Sequence, residues 1–290
     1  MTENDKTQKK PFLDRILPVL YGTTAGRLLL RPLVSPWFSM FGGWLLDTRL
    51  SRLIIAPFVR KNGIDLSQCE TKSFSSYNAF FTRKLRPEAR PLDPDKKAWI
   101  SPCDARLSVW PVTQDGRFVV KHTPYTLGEL LKNKELAGRF EGGTLWLYRL
   151  CVDDYHRYIY PDDAVKSRNV CIPGTFHTVN PIANDHYPIY KENTREYCLL
   201  KTEQFGTVLM MEVGAMLVGR IENRQPFPAF VHRGEEKGYF AFGGSTILLV
   251  TQAGCVVPDE AFTSCTQTGE EKFVHMGERT GYIGQGRNQR

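Results

Sequence analysis

Gly243-Gly244-Ser245-Thr246 separates two apolar, strand-like runs, Tyr239-Phe240-Ala241-Phe242 and Ile247-Leu248-Leu249-Val250. Glycines at such a break allow a tight turn or bulge. They equally allow a strained backbone in which a serine hydroxyl points at its own preceding carbonyl. Ser245 could then attack the Gly244 carbonyl and move the acyl group from nitrogen to oxygen. Elimination of that ester cuts the chain and leaves dehydroalanine, which becomes a pyruvoyl group on loss of ammonia. A pyruvoyl carbonyl condenses with a substrate amine and draws electrons from the adjacent carboxylate-bearing bond, an electron sink made from the chain itself.

Two other polar spots lie in apolar surroundings. Asp104 follows a proline-fixed turn in Ser101-Pro102-Cys103-Asp104-Ala105, where read alone it is an ordinary turn acid. Arg149-Leu150-Cys151-Val152-Asp153-Asp154-Tyr155-His156-Arg157-Tyr158 gathers charges and a histidine between strand-like segments. Such groups are expensive near a core unless paired, so this stretch is structural ion pairing or a site. His177, in Gly174-Thr175-Phe176-His177-Thr178, is a loop or strand-end histidine by the same reading. A serine hydrolase built on Ser245, His156 and Asp104 is disfavoured, since no G-x-S-x-G elbow surrounds the serine.

These groups must be held by a fold that the rest of the chain specifies. With 290 residues, 41% hydrophobic and 24% charged, the chain can bury a substantial core. Residues 12–65 read as short basic amphipathic helices, and Ser73 to Arg86 as one more, capped by Ser73 or Ser75. From about Trp99 the pattern becomes short strands: Leu107 to Val112, Phe118 to Lys121, Thr144 to Val152, Val165 to Ile172, Tyr197 to Thr202, Thr207 to Val213, Met216 to Ile221, Lys237 to Phe242 and Thr246 to Thr251. Thr126 to Leu136 reads as a single helix among them. Too few helices alternate with strands for a doubly wound sheet, so the expectation is α+β: a mainly antiparallel β core behind an α-helical N-terminal region.

The net charge of +7 is concentrated at the start, where residues 1–65 carry ten basic against five acidic side chains. Its longest uncharged run, Pro32 to Leu46, has 15 residues with two prolines and a glycine pair, too short and broken to span a bilayer. Residues 1–10 are polar, are expected to fray and do not resemble a signal peptide. The pattern suits either helices packed on the core or helices lying on an anionic membrane with arginines at the headgroups. No motif of nucleic-acid binding accompanies the charge. Seven scattered cysteines without a C-x-x-C pair, and histidines without ligand spacing, suggest a reducing compartment and no metal site.

In combination, several stretches resemble the phosphatidylserine decarboxylases, pyruvoyl enzymes that convert phosphatidylserine into phosphatidylethanolamine. In order, they are Tyr77-Asn78-Ala79-Phe80-Phe81-Thr82-Arg83, Arg90-Pro91-Leu92-Asp93, Ser101-Pro102-Cys103-Asp104, Arg149-Leu150 with Asp154-Tyr155-His156-Arg157, Val179-Asn180-Pro181, Phe205-Gly206 with Val213-Gly214-Ala215, and Lys237-Gly238-Tyr239-Phe240 leading into Gly243-Gly244-Ser245-Thr246. The resemblance covers roughly residues 74 to 283, and the N-terminal part matches only in character.

The resemblance implies cleavage between Gly244 and Ser245, giving a β chain of residues 1–244 and an α chain of residues 245–290. Ser245 becomes the nucleophile, pyruvoyl precursor and Schiff-base site. Asp104 becomes the acid that orients the base, and His156 the histidine of the decarboxylation step. Many members carry a second histidine three residues after the one in Asp-Tyr-His-Arg and use it for self-cleavage; here that position is Ile159. His156 is the first substitute and His177 the alternative. The resemblance further implies residues 1–72 as a membrane-associating region and 73–290 as the catalytic domain. It implies covalent pyruvate as cofactor, phosphatidylserine and an anionic membrane surface as partners, a peripheral place on the cytoplasmic face of the cell membrane, and a dimer of β–α units. The departure at Ile159 leaves one alternative, a lipid-binding homologue that never processes itself.

Overall fold

The computed structural model describes residues 12–120, 122–179, 181–184, 186, 188–215, 220–241, 243 and 245–286. Among the sequence expectations, those for residues 1–10, Lys121, Asn180, Phe242, Gly244 and most of the strand Met216 to Ile221 lie outside these residues.

The N-terminal region is helical: α1 (Phe12–Gly22), α2 (Thr24–Leu33), α3 (Pro36–Asp47), a 3-10 turn over Arg49–Ile54, and α4 (Ile55–Asn62). Thr23 caps α2 by accepting from Gly26 N at 3.0 Å. Gly26 lets α1 and α2 touch, since a Cβ there would stand 2.2 Å from Val19 O. Leu17, Tyr21, Leu30 and Val34 face inward and join the main core. The opposite faces leave Val19, Leu28 and Leu29 exposed, and farther on Trp37, Met40, Phe41, Trp44, Leu50 and Leu53. Among the described residues no helix is long and apolar enough to cross a membrane.

A second apolar cluster joins this region to the next element, α5 (Tyr77–Phe81). Phe74, Tyr77, Phe80 and Phe81 pack with Leu46, Ile55, Phe58, Val59, Ile64 and Leu66. The helix is shorter than the expected Ser73 to Arg86, and its cap is Ser76, which accepts from Ala79 N at 3.1 Å. Strand-like pairing ends it: Leu85 bridges Cys69, and Glu70 N donates to Lys84 O at 2.9 Å.

The strands are β1 (Ala98–Ile100), β2 (Ala105–Pro111), β3 (Arg117–Val120), β4 (Thr123–Thr126), β5 (Thr144–Leu150), β6 (Arg157–Ile159), β7 (Ala164–Lys166), β8 (Val170–Ile172), β9 (Arg195–Thr202), β10 (Thr207–Val213), β11 (Ile221–Asn223), β12 (Ala229–Val231), β13 (Glu236–Phe240), β14 (Ser245–Thr251), β15 (Val256–Pro258), β16 (Lys272–Val274) and β17 (Arg279–Ile283). The main sheet runs β12-β7-β9-β10-β14-β5-β2-β16, with β8 also on β9, and every pairing in it is antiparallel. Smaller sheets are β1-β17-β15, β11-β13-β6 and the β3-β4 hairpin. This is the expected α+β class with an antiparallel core.

β14 lies inside the main sheet, paired on both edges, and all seven of its residues are buried. Burial on both faces explains why Ile247-Leu248-Leu249-Val250 reads as a continuous apolar run. Two expected elements are broken in the fold. Thr126 to Leu136 becomes α6 (Leu127–Leu131) and α7 (Lys134–Gly138), because Lys132 turns left-handed at φ 51° and Asn133 caps a fresh helix. Val165 to Ile172 becomes β7 and β8, because Asn169 N leaves the strand to bond Pro226 O at 2.9 Å. Two further short helices, α8 (Pro181–Asn184) and α9 (Ile189–Glu192), precede β9, and α10 (Glu260–Gln267) packs on β2.

Candidate active site

Ser245 opens β14 opposite Leu150 of β5, while Thr246 faces Val213 of β10. Arg106 of β2 faces Arg149 of β5. Continuing these registers by one or two residues brings Asp104, Cys151, Ser245 and Gly214 to one end of the sheet. Gly243, just before this end, has φ 125°, a conformation that essentially only glycine adopts without strain. The glycine-rich approach expected ahead of Ser245 is therefore present, although Gly244 itself is outside the described residues.

Among the described residues, three polar atoms here are sealed from solvent without a hydrogen-bond partner, Ser245 Oγ, Thr246 Oγ1 and His156 Nε2. An unsatisfied buried group costs about 1–3 kcal/mol, which makes a functional reason worth seeking. His156 Nδ1 lies 3.0 Å from Asp154 O. A carbonyl can only accept, so Nδ1 carries the proton and Nε2 presents a bare lone pair. The imidazole rests on Phe81, with ring centroids 4.1 Å apart. Burial pushes its pKa down to about 3, against the pull of the Asp154 carbonyl and of the Gly243 backbone, while the nearby Arg83 charge adds to the lowering. The ring is thus a neutral acceptor, and Ser245 is a donor.

Asp104 is held differently. Arg90 Nε donates to Oδ1 at 2.7 Å and Oδ2 at 2.9 Å, Met276 N donates to Oδ1 at 2.8 Å, and His275 Nδ1 lies 3.7 Å from Oδ2. Among the described residues it makes no hydrogen bond or ion pair with His156, His177 or Ser245. The reason is in the sheet: β2 is two strands from β14, about 10 Å at the backbone. Ile159 N donates to Pro102 O at 2.9 Å, so the position lacking the second histidine borders the loop that leads to Asp104.

Asp154 supports the loop between β5 and His156. Its Oδ2 accepts from Cys151 N at 2.6 Å and Arg106 Nη1 at 3.0 Å, and burial raises its pKa to about 6. His177 approaches from the other side. Its N donates to Asn193 Oδ1 at 2.9 Å, and Asn193 Nδ2 donates to His177 O and to Gly214 O, each at 2.8 Å. The His177 ring lies 3.3 Å from the Tyr21 hydroxyl at Nδ1 and 3.6 Å from Glu192 at Nε2, and burial depresses its pKa to about 4.

The sheet end therefore gathers Ser245, His156 and, through Asn193 and Gly214, His177. Asp104 stands at the same end but within its own ion pair. Sequence reading gave no role to Arg90, Asp154, Tyr21, Asn193 or His275. Asp154 carried a signal as a charge in an apolar stretch, and Arg90 lay in one of the family-like stretches. Among the described residues no three His, Cys, Asp or Glu side chains gather as metal ligands would.

The phosphatidylserine decarboxylase family profile matches residues 77–282. Phosphatidylserine decarboxylase proenzyme 2 of Clostridium acetobutylicum is 39% identical over 274 residues, 94% of each chain. The phosphatidylserine decarboxylase proenzyme of Ruminiclostridium cellulolyticum is 39% identical over 272 residues, 92% of this chain and 91% of its own. That of Desulfitobacterium hafniense is 38% identical over 279 residues, 94% of each.

Proposed function

The chain belongs to the phosphatidylserine decarboxylase family and is an enzyme of that kind, and we propose that it makes its own reactive group by cutting itself between Gly244 and Ser245. The observation that carries this reading is the coexistence, among the described residues, of a buried donor without a hydrogen bond, Ser245 Oγ, and a buried acceptor without one, His156 Nε2, at one sheet end. His156 takes the hydroxyl proton as Oγ bonds to the Gly244 carbonyl carbon, and the Ser245 nitrogen leaves that carbon. Elimination frees the Gly244 carboxylate. Water then replaces ammonia at the serine-derived carbon, and a pyruvoyl group opens the second chain.

The residues present fit that group: a buried serine at a strand start, a positive-φ glycine two residues ahead of it and a neutral imidazole that meets that glycine's backbone. When formed, a pyruvoyl group supplies the electron sink for loss of carbon dioxide from an amine-bound substrate. His156 has the remaining proton work. Its bare Nε2 accepts a proton from the incoming substrate ammonium and returns it to the carbon that carbon dioxide leaves. Burial suits this shuttle, since a histidine held neutral at neutral pH can begin only by accepting. His177 is the alternative base. Asp104, fixed by Arg90, acts through the position of its loop.

Residues 1–72 serve in this reading as the docking surface and residues 73–290 as the catalytic part. Exposed Trp37, Phe41, Trp44, Leu50 and Leu53 along a segment bearing Arg27, Arg31, Arg49 and Arg52 support a peripheral seat on an anionic bilayer. The cytoplasmic face and a dimer of β–α units complete the proposal.

A denaturing gel with intact mass tests it. Fragments of 244 and 46 residues, the smaller with a blocked N-terminus, are expected. A chain that stays whole at 33.1 kDa under all conditions overturns self-cutting and leaves a lipid-binding homologue.

A further inference from the structure

Arg83 is a cation enclosed without an anion. Its residue is 7% exposed, and among the described residues its Nε has no acceptor and its side chain forms no ion pair, though it meets the Cys69 thiol in a hydrogen bond. The guanidinium lies over the Phe80 ring, 5.0 Å from its centroid. Its electrostatic neighbours are the Cys69 thiol, the Tyr155 hydroxyl, Asp104 and Tyr77. The only carboxylate of these, Asp104, is already held by Arg90. The other enclosed arginine of this corner is paired: Arg157 donates to both oxygens of Glu236 at 2.8 Å. An enclosed charge left unpaired is costly, and a ligand that brings the opposite charge explains its retention.

Its place in the fold indicates which ligand. Arg83 follows α5 by two residues, and from the same helix Phe81 carries the His156 ring. On its far side α5 is fastened to the apolar N-terminal region: Asn78 donates to Asp47 at 2.8 Å, and Tyr77 N to Ser51 Oγ at 2.8 Å. That region exposes Trp37, Phe41, Trp44, Leu50 and Leu53. Arg83 thus stands between an apolar surface suited to lipid tails and the imidazole at the reacting end. In a lipid whose tails lie on that surface and whose amine reaches the imidazole, the phosphodiester falls between the two, at this position.

We propose that Arg83 binds the phosphodiester of the lipid headgroup, a forked guanidinium on an oxyanion, and so sets how far the amine reaches toward His156 and Ser245. The assignment rests on the functional reading above. The seryl carboxylate is the poorer candidate. It loses its charge as carbon dioxide forms, so a guanidinium upon it would stabilise the ground state more than the transition state, whereas the phosphodiester keeps its charge throughout.

Arg83→Gln tests this with dihexanoyl phosphatidylserine as substrate and dihexanoyl phosphatidylethanolamine, which lacks the carboxylate, in a direct titration. KM is expected to rise about 10- to 100-fold, the loss of a charge-assisted contact, with kcat within about three-fold. Phosphatidylethanolamine affinity is expected to fall by the same factor. An unchanged KM, or a raised KM with unaltered phosphatidylethanolamine affinity, overturns the assignment; the second result would move the guanidinium to the carboxylate. Arg83→Met keeps an aliphatic stem over Phe80 and carries the same expectation if the glutamine variant is insoluble. The titration needs no turnover, so it judges Arg83 separately from self-cutting, which the wild-type gel judges.

Discussion

Arg90 closes on Asp104 with Nε shared between the two carboxylate oxygens, at 2.7 and 2.9 Å. The pair is enclosed, with the carboxylate side chain 3% exposed, so each partner is the other's main compensation. Breaking such a pair from one side strands a charge and costs about 3–5 kcal/mol. In an uncut Ser245→Ala background, Arg90→Met is expected to lower the urea midpoint by a corresponding amount, and adding Asp104→Asn to recover more than half of it. Strictly additive losses would show that the two side chains do not depend on each other.

The imidazole at the sheet end should decide self-cutting. His156→Ala is expected to slow it by about 10²- to 10⁴-fold, the usual contribution of a positioned base. His177→Ala should slow it far less, since that ring meets Tyr21 and Glu192. Time courses of newly synthesised chain on a gel measure both, and the opposite order would transfer the base to His177. Ser245→Ala should remain a single chain.

Acid should act on cutting through Asp154 before it acts through His156. With pKa values of about 3 and 4, His156 and His177 stay neutral well below the ordinary histidine range. Asp154, raised to about 6 by burial, titrates first. The cutting rate is expected to show an inflection near pH 6 that Asp154→Asn removes, and no further fall until below about pH 4.5. Stability follows the same signs. The histidines are depressed in the folded state, so their contribution is complete above about pH 6.5 and is lost as pH falls toward 4 and 3. Asp154 is raised, so its contribution is present below about pH 4 and lost as pH rises through 6. Melting of the uncut serine variant across pH 4 to 8 checks the balance.

Membrane docking should depend on single apolar side chains. Trp37 and Leu53 are 81% and 77% exposed, so replacing either with Asp removes little from the folded protein. Each change is expected to weaken binding to phosphatidylglycerol-containing vesicles about ten-fold or more, as for a lost apolar side chain of about 1.5–3 kcal/mol. Added salt should weaken the remainder. Vesicle sedimentation that ignores both substitutions would remove this region from the docking surface.

Legibility in the sequence followed range. Ser245 announced itself because two glycines interrupt an apolar run, and the inner strands because burial on both faces demands Val, Ile and Leu. Asp104 was visible as a residue but its partner was not, since nothing local ties it to Arg90 across a separation of 14. The helix around Phe80 was overestimated because the Cys69–Leu85 bridge that stops it comes from another segment. The break at Lys132 carries no glycine to mark it. β1, β15 and β16, of three residues each, are too short to show a period, and β1 and β15 are held only by their pairing with β17.

β14 lies between β10 and β5, β16 borders β2, and β15 and β17 form a sheet with β1. Every one of these pairings except β15–β17 joins residues on opposite sides of the Ser245 N-terminus. A chain cut there would hold its two pieces by interwoven strands and non-covalent contacts, with no bond between them, as a permanent pair. Its assembly nevertheless depends on the bond it loses. While that bond lasts, folding is a one-body event; once it is gone, denatured pieces must find each other by diffusion, at a rate set by dilution. The precursor thus serves as its own temporary tether, and unfolding that is reversible before the cut becomes concentration-dependent after it.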